Sequence, residues 1–142
     1  MMEIVRLQKA DTKSLKEVNA LLRQLSGQIP PCTLELLNDI VESSTFELWV
    51  AKEDGIIVGI GELAIVLKPE GVIAQIEDVV VDEGYRGKGL GKKISEKLIG
   101  RARAQHARVI QLSSNPARTA ANALYQKLGF TLHETNTYRL KL

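Results

Sequence analysis

The chain has 142 residues, 44% hydrophobic and 25% charged, a balance that excludes a disordered or fibrous protein. No apolar run approaches the roughly 18 residues that span a bilayer, and the N-terminus MMEIVRLQKADTKS is unlike a secretory signal. The net charge of +2 is too small to imply a polyanionic partner for the whole molecule, and a single cysteine, Cys32, excludes an internal disulfide or a CxxC zinc site.

A cytoplasmic protein with no membrane partner is therefore expected. With no repeat, low-complexity tract or linker, residues 1–142 are read as one domain. MEIVRLQ predicts a first strand. Asp11 and Thr12 offer N-caps, Ser14 with Glu17 has capping-box spacing, and Leu15, Val18, Leu22 and Leu25 share a face, which predicts a helix over 13–25. Gly27, Pro30 and Pro31 break it, and Thr33 caps a short second helix with Leu34, Leu37 and Val41 inward. Cys32, in this connection, is read as a small buried hydrophobe.

FELWVAKE and IIVGIGELAIVL flank Asp54-Gly55, a strong hairpin signal, and a second break at Lys68 to Gly71 leads into VIAQIEDVVV. A three-strand antiparallel meander is expected. Leu90, Ile94, Leu98 and Ala102 recur at intervals of four and predict a helix from about Gly89 to Gln105. VIQLS reads as a buried strand placed for a parallel crossover. Pro116 suits a first helical turn, Ala120 to Leu128 a helix, and Gly129 its stop, after which FTLHET and TYRLKL predict a terminal hairpin. The predicted order βααβββαβαβ gives an α/β mixed sheet with helices on both faces.

The stretch VVVDEGYRGKGLGKK places Gly87, Gly89 and Gly91 between a buried strand and a helix start. Glycines admit close backbone approach, and the free amide hydrogens of a first helical turn favour an anion, so a pyrophosphate fits there. Arg86, Lys88 and Lys92 are expected to add charge to the same mouth. A Walker loop fails because Leu90 and Gly91 follow Gly89, and a dinucleotide fingerprint fails because Lys92 stands where its third glycine belongs. The plain alternative is a flexible turn before a solvated basic helix.

R-G-K-G-L-G at Arg86 to Gly91 resembles the (Arg/Gln)-x-x-Gly-x-(Gly/Ala) signature of the GNAT N-acetyltransferases. Asn115, Asn122 and Tyr125 in SSNPARTAANALYQKLGF resemble a second segment of that family, and with the predicted element order the resemblance covers essentially the whole chain. It implies a single-domain GNAT-like fold and acetyl-CoA as acyl donor, held by Val79, Val80, Val81, Arg86, Gly87, Lys88, Gly89, Leu90, Gly91, Lys92, Asn115, Asn122 and Tyr125. It further implies that Tyr125 protonates the departing thiolate and that Asn122 meets the pantetheine arm. Asn115 reads equally well as a plain helix cap. Asn122 and Tyr125 lie three apart on one polar helix face, with Leu124 and Leu128 on the core side.

Transfer to an amine requires a proton acceptor, because an ammonium has no lone pair. Glu77 and Asp78 stand in an apolar strand, where an ionised side chain must face a cavity or a partner. Alternation puts the two on opposite faces, and Glu77 is favoured as the base, acting through water. The string I-E-D-V-V-V resembles members acting on aminosugar phosphates and polyamines. His106 and His133 read as surface residues. The expected partner is a small-molecule or peptide amine, with no metal and no specific nucleic acid, and a homodimer is left open. Two alternatives keep the same residues: a catalytically silent acetyl-CoA sensor, and a small nucleic-acid module built on the basic segment from Arg86 to Arg108.

Overall fold

The computed structural model describes residues 1–142. Strand β1 (Met2–Arg6) is followed by helices α1 (Thr12–Leu25) and α2 (Leu34–Glu42). Strands β2 (Phe46–Glu53), β3 (Ile56–Lys68) and β4 (Gly71–Val81) come next, then a 3-10 turn, helix α3 (Leu90–Ala104), strand β5 (Val109–Leu112) and helix α4 (Thr119–Lys127). The strands lie in the order β1-β2-β3-β4-β5, antiparallel except for the parallel β4–β5 pair, so the mixed sheet is the expected one.

The Asp54-Gly55 turn forms as read: both residues have positive φ, 49° and 81°, the mirror-image turn that matches strand twist. Asp11 caps α1 by accepting from the Ser14 amide at 2.8 Å. The Ser14–Glu17 capping box does not form, because Glu17 instead binds Lys13 and the Ile57 amide. In α2 Leu37 is fully buried, but Leu34, expected inward, is largely exposed.

Helices cover both faces of the sheet. On one face Val18, Leu21 and Leu37 of α1 and α2 pack on Leu48, Val50, Ile57, Ile60 and Val80. On the other, Leu90, Ile94, Leu98 and Ala102 of α3 pack on Ala51, Val58, Leu63, Ala74, Ile76 and Val79. Helix α3 approaches β3 where that strand has no side chains. A Cβ at Gly61 would lie 2.6 Å from Ile94 Cγ2, and one at Gly59 would lie 2.9 Å from Ile94 Cδ1.

The C-terminal quarter departs from expectation. Helix α4 begins at Thr119, so Pro116 lies in the turn before it and not in its first turn. Strand β5 is half-exposed rather than buried, and Tyr125 is the only buried residue from Val109 onward. The terminal hairpin is absent: Phe130 to Leu142 form no strand, turn or bend, and Thr131 to Leu142 are all exposed. FTLHET and TYRLKL are each patterned like strands, but no face of this chain pairs with them.

Gly61→Ala should lower unfolding stability by about 1 to 3 kcal/mol, because the added methyl overpacks against Ile94. Gly100→Ala, in open space on the same helix, should raise it by roughly 0.5 to 1 kcal/mol through helix propensity. Urea titrations of the two variants check both signs.

Candidate active site

Two features of β4 shape the site. It pairs with β5 only from Ile73 to Ile76, opposite Val109 to Leu112, so its continuation from Glu77 to Val81 diverges from β5 and leaves an opening. The register against β3 also shifts between Ile60 and Glu62, so that Asp78 and Val79 together oppose Gly61, a β-bulge with Asp78 at φ 45°. The Asp82 amide donates to Val58 of β3 at 2.8 Å, and by alternation the peptide groups of Val81 and Val79 face the opening. Two contacts agree: Arg118 donates to the Val79 carbonyl at 3.1 Å and Arg86 to the Val81 carbonyl at 3.0 Å. Val80 faces β3, so two of the three expected backbone groups are presented.

The glycine loop begins where β4 ends. Gly87 and Gly89 have φ of 77° and 80°, and Gly89 is the N-cap of α3 with no side chain to occupy the helix end. The first backbone bond of the helix runs from the Lys93 amide to the Gly89 carbonyl, and the amide hydrogens from Gly87 to Lys92 donate to nothing in the protein. This row of donors at the positive end of a 15-residue helix suits a pyrophosphate. Added Cβ atoms at Gly87 and Gly89 would meet nothing within 4 Å, so positive φ and not crowding calls for glycine there.

The cations are less concentrated than expected. Arg86 folds back onto Val81 and onto Gln24 of α1, away from the loop mouth. Gln24 also donates to Asp82 at 2.8 Å and accepts from the Glu83 amide at 3.0 Å, which ties α1 to the loop. Lys88 lies over the Tyr85 ring at 5.3 Å, and Lys92 is exposed on the first turn of α3.

Across the opening, the Asn115 side chain accepts from the Ala117 amide at 2.9 Å, and Asn122 donates to the Asn115 carbonyl at 3.1 Å. Both asparagines thus shape the turn before α4. Tyr125 is buried, not on a polar face, with Phe130 edge-on at 5.9 Å. Burial pushes its phenol above the ordinary range, against a smaller lowering by Arg118.

A family model described as the acetyltransferase (GNAT) family matches residues 15–130. The chain belongs to that family. It is 35% identical over 82 residues to an N-acetylaspartate synthetase of Xenopus tropicalis, which covers 58% of this chain and 30% of that protein. It is 34% identical over 80 residues to a glucosamine 6-phosphate N-acetyltransferase of Trypanosoma brucei brucei, covering 53% and 52%. The chain thus spans between about a third and a half of the lengths of these curated relatives. A crystal structure of a Trypanosoma brucei acetyltransferase superposes over 100% of both chains, with a TM-score of 0.82 and 31% identity. No helix is long and apolar enough to cross a membrane.

Within this GNAT chain one acidic residue escaped the sequence reading. Glu62 of β3 stands opposite Glu77 in the ladder, with the Asp78 carboxyl close enough to act on that of Glu62. Its Oε2 is sealed from solvent without a partner. Burial, then the Asp78 hydrogen bond and charge, then the Glu77 charge push the Glu62 carboxyl up to about 9. Glu77 is exposed but also raised, first by desolvation and then by Asp78. The bulge therefore gathers Glu62, Glu77 and Asp78 into one cluster, and the expectation that alternation separates Glu77 from Asp78 fails. Cys32, half-buried in the α1–α2 connection, has its thiol raised by burial first and then by Glu62. His106 lies exposed past the end of α3 and His133 on the C-terminal segment, both outside the site.

Because the folded-state pKa of Glu62 lies near 9 against an ordinary 4.5, the folded chain holds an extra proton across that window. Stability attached to this group is complete below the ordinary value and is lost as pH rises through the folded value. Glu62→Gln should flatten that slope and be more stable than the parent at pH near 9, as read by urea midpoints across the range.

Proposed function

We propose that the chain is an acetyl-CoA-dependent N-acetyltransferase that moves the acetyl group to a primary amine by direct transfer in a ternary complex. One observation carries this reading: the unpaired amide row from Gly87 to Lys92 stands at the end of a β4 strand whose Val79 and Val81 peptide groups face the opening beside β5. The loop supplies donors for a pyrophosphate, and the opening leads from it toward the carboxyl cluster. Gly87, Lys88, Gly89, Leu90, Gly91 and Lys92 would hold the diphosphate. Arg86, tied to Val81 and Gln24, positions that loop from behind. Asn115 and Asn122 would hold the second wall for the pantetheine arm.

The bound thioester supplies an activated acetyl group. An inward amide of Val79 or Val81 polarises its carbonyl. The amine nitrogen attacks the carbonyl carbon, the carbon–sulfur bond breaks, and the sulfur takes a proton from the Tyr125 hydroxyl. Burial keeps that phenol protonated at neutral pH, which a proton donor requires. The amine's own proton passes through water to Glu77, whose raised pKa brings it nearer the working pH. The protonated Glu62 lies behind it, beside Asp78. A cluster of three carboxyl groups at the acceptor end favours a cationic amine and disfavours an acidic one, so polyamines and aminoglycoside-like amines rank above aspartate. Glucosamine 6-phosphate, acted on by a relative, stands between them.

Acetyl-CoA should raise the melting temperature of the parent, and Gly89→Val should abolish the shift by straining a residue at φ 80° and filling the donor cradle. Equal shifts in parent and variant would remove the loop from the site. A CoA-release assay over polyamines, glucosamine 6-phosphate and aspartate, with mass detection of product, tests the reaction. No product from any amine, with acetyl-CoA still bound, would leave a silent sensor.

Tyr125→Phe should lower kcat by about 10² to 10⁴ with acetyl-CoA affinity nearly unchanged. Glu77→Gln should lose most activity at neutral pH and regain part of it at higher pH, where the amine is already free. Full activity in Glu77→Gln together with loss in Asp78→Asn would transfer the base role to Asp78.

A further inference from the structure

Beyond Ile76 and Leu112 no ladder joins β4 to β5. One hydrogen bond crosses the opening there: the Arg118 guanidinium donates to the Val79 carbonyl at 3.1 Å. Local structure holds the arginine ready for this reach. Arg118 is the N-cap of α4, its amide donates to the Asn115 carbonyl at 3.0 Å, and its own carbonyl accepts from the Asn122 amide at 3.0 Å. The Asn122 side chain closes the same turn on the Asn115 carbonyl at 3.1 Å. Asn122 and Tyr125 follow Arg118 at helical spacing, so the three lie along one side of α4, with Arg118 at its start and Tyr125 two turns on.

The partner of this cation sets it apart from the other arginines tied into the fold. Arg6 and Arg101 meet Glu47, and Arg108 meets Glu70, whereas no carboxylate pairs with Arg118. A half-buried guanidinium held by a neutral carbonyl has lost part of its hydration without gaining a counter-charge. Its charge acts instead on Tyr125, whose phenol is raised by burial and lowered by Arg118. In the transfer described above, Tyr125 gives its proton to the sulfur and is left as a buried phenolate, which regains a proton from solvent before the next turnover. Such an anion is costly without a cation close by.

We propose that Arg118 is a positioning residue for that step: it ties the start of α4 to β4 at Val79, so that the proton donor and the polarising strand keep one spacing, and it supplies the counter-charge for the phenolate. This role rests on the transferase reading above. Loss of the guanidinium leaves Tyr125 a weaker acid and α4 untied from β4, while the glycine loop keeps its amide donors.

Arg118→Met removes both charge and donors at similar length, and Arg118→Lys keeps the charge. With acetyl-CoA and an amine that the parent acetylates, kcat should fall by about 10-fold or more in Arg118→Met, with KM for acetyl-CoA within about three-fold of the parent and partial recovery in Arg118→Lys. The alkaline limb of the kcat profile should move to higher pH in Arg118→Met, because a cation that favours the phenolate is gone. The phenol is also readable without turnover. The tyrosines of the chain are Tyr85, Tyr125 and Tyr138, so in a Tyr85→Phe, Tyr138→Phe background an ultraviolet titration follows Tyr125 alone. Its ionisation should move to higher pH in Arg118→Met and return toward the parent in Arg118→Lys. Arg118→Gln, neutral but polar, serves for the same readings if Arg118→Met does not fold. An unchanged kcat in the neutral variant would overturn the role, and so would a phenol titration that stays in place, the signature of a purely structural tie. A parent that turns over no amine would overturn the transferase reading itself, whereas the phenol titration decides the Arg118–Tyr125 pairing whether or not the chain turns over.

Discussion

The placement of Ile94 sets the rest of the molecule. Its side chain lies over Gly59 and Gly61, where any Cβ would come within 3 Å of it, so α3 rests closer to β3 than a helix facing ordinary strand residues could. Leu98 and Leu90 extend that contact along the helix, and the N-terminus of α3 is brought against the end of β4. The β4 backbone can then pass into the glycine loop in a single 3-10 turn, Glu83–Tyr85. Donors from the helix end and peptide groups from the strand consequently belong to one continuous surface. The two glycines in β3 are remote from the phosphate loop in sequence and carry no chemistry of their own. They set its position.

Two carboxyl groups inside the sheet face opposite electrostatic outcomes. Glu47 accepts from both Arg101 donors at 3.0 and 2.9 Å and from Trp49 at 2.8 Å, and Arg101 holds its carboxyl below the ordinary range despite burial. It stays charged and ties the second half of α3 to β2. Glu62 has no cation beside it and shares its surroundings with two other acids, so burial drives it toward the neutral form. The first arrangement is structural. The second holds a proton at neutral pH, as expected where like charges and desolvation meet.

Much of this was legible in the letters because it depends on local rules. Asp54-Gly55 fixes its turn through positive φ, the four-residue period of α3 fixes its buried stripe, and the glycines of RGKGLG fix an open helix end. The features that escaped depend on contacts distant in sequence. The bulge at Asp78 arises from the β3–β4 register, which no period-two reading contains, and with it came the error of separating Glu77 from Asp78. Glu62 stands out only once the bulge brings Asp78 beside it. Arg86 was assigned to the loop mouth because its nearest neighbours in sequence are there, whereas Gln24 of α1 captures it. The alternating pattern of FTLHET and TYRLKL reads as two strands, yet neither segment pairs with any strand of the chain.

The C-terminal arm and the proposed acid are mechanically linked through one aromatic contact. Phe130 is the root of the arm, its ring meets Tyr125 edge-on at 5.9 Å with an interplanar angle of 70°, and its amide bonds the Tyr125 carbonyl. Leu128 and Gly129, the latter at φ 100°, are the two residues between the end of α4 and that root. Phe130 is held by this contact and by the edge of the α3-side core. An edge-to-face pair contributes roughly 0.5 to 1.5 kcal/mol, enough to bias a ring orientation but too little to fix one alone. The Tyr125 hydroxyl is thus placed by this contact together with the burial of its ring.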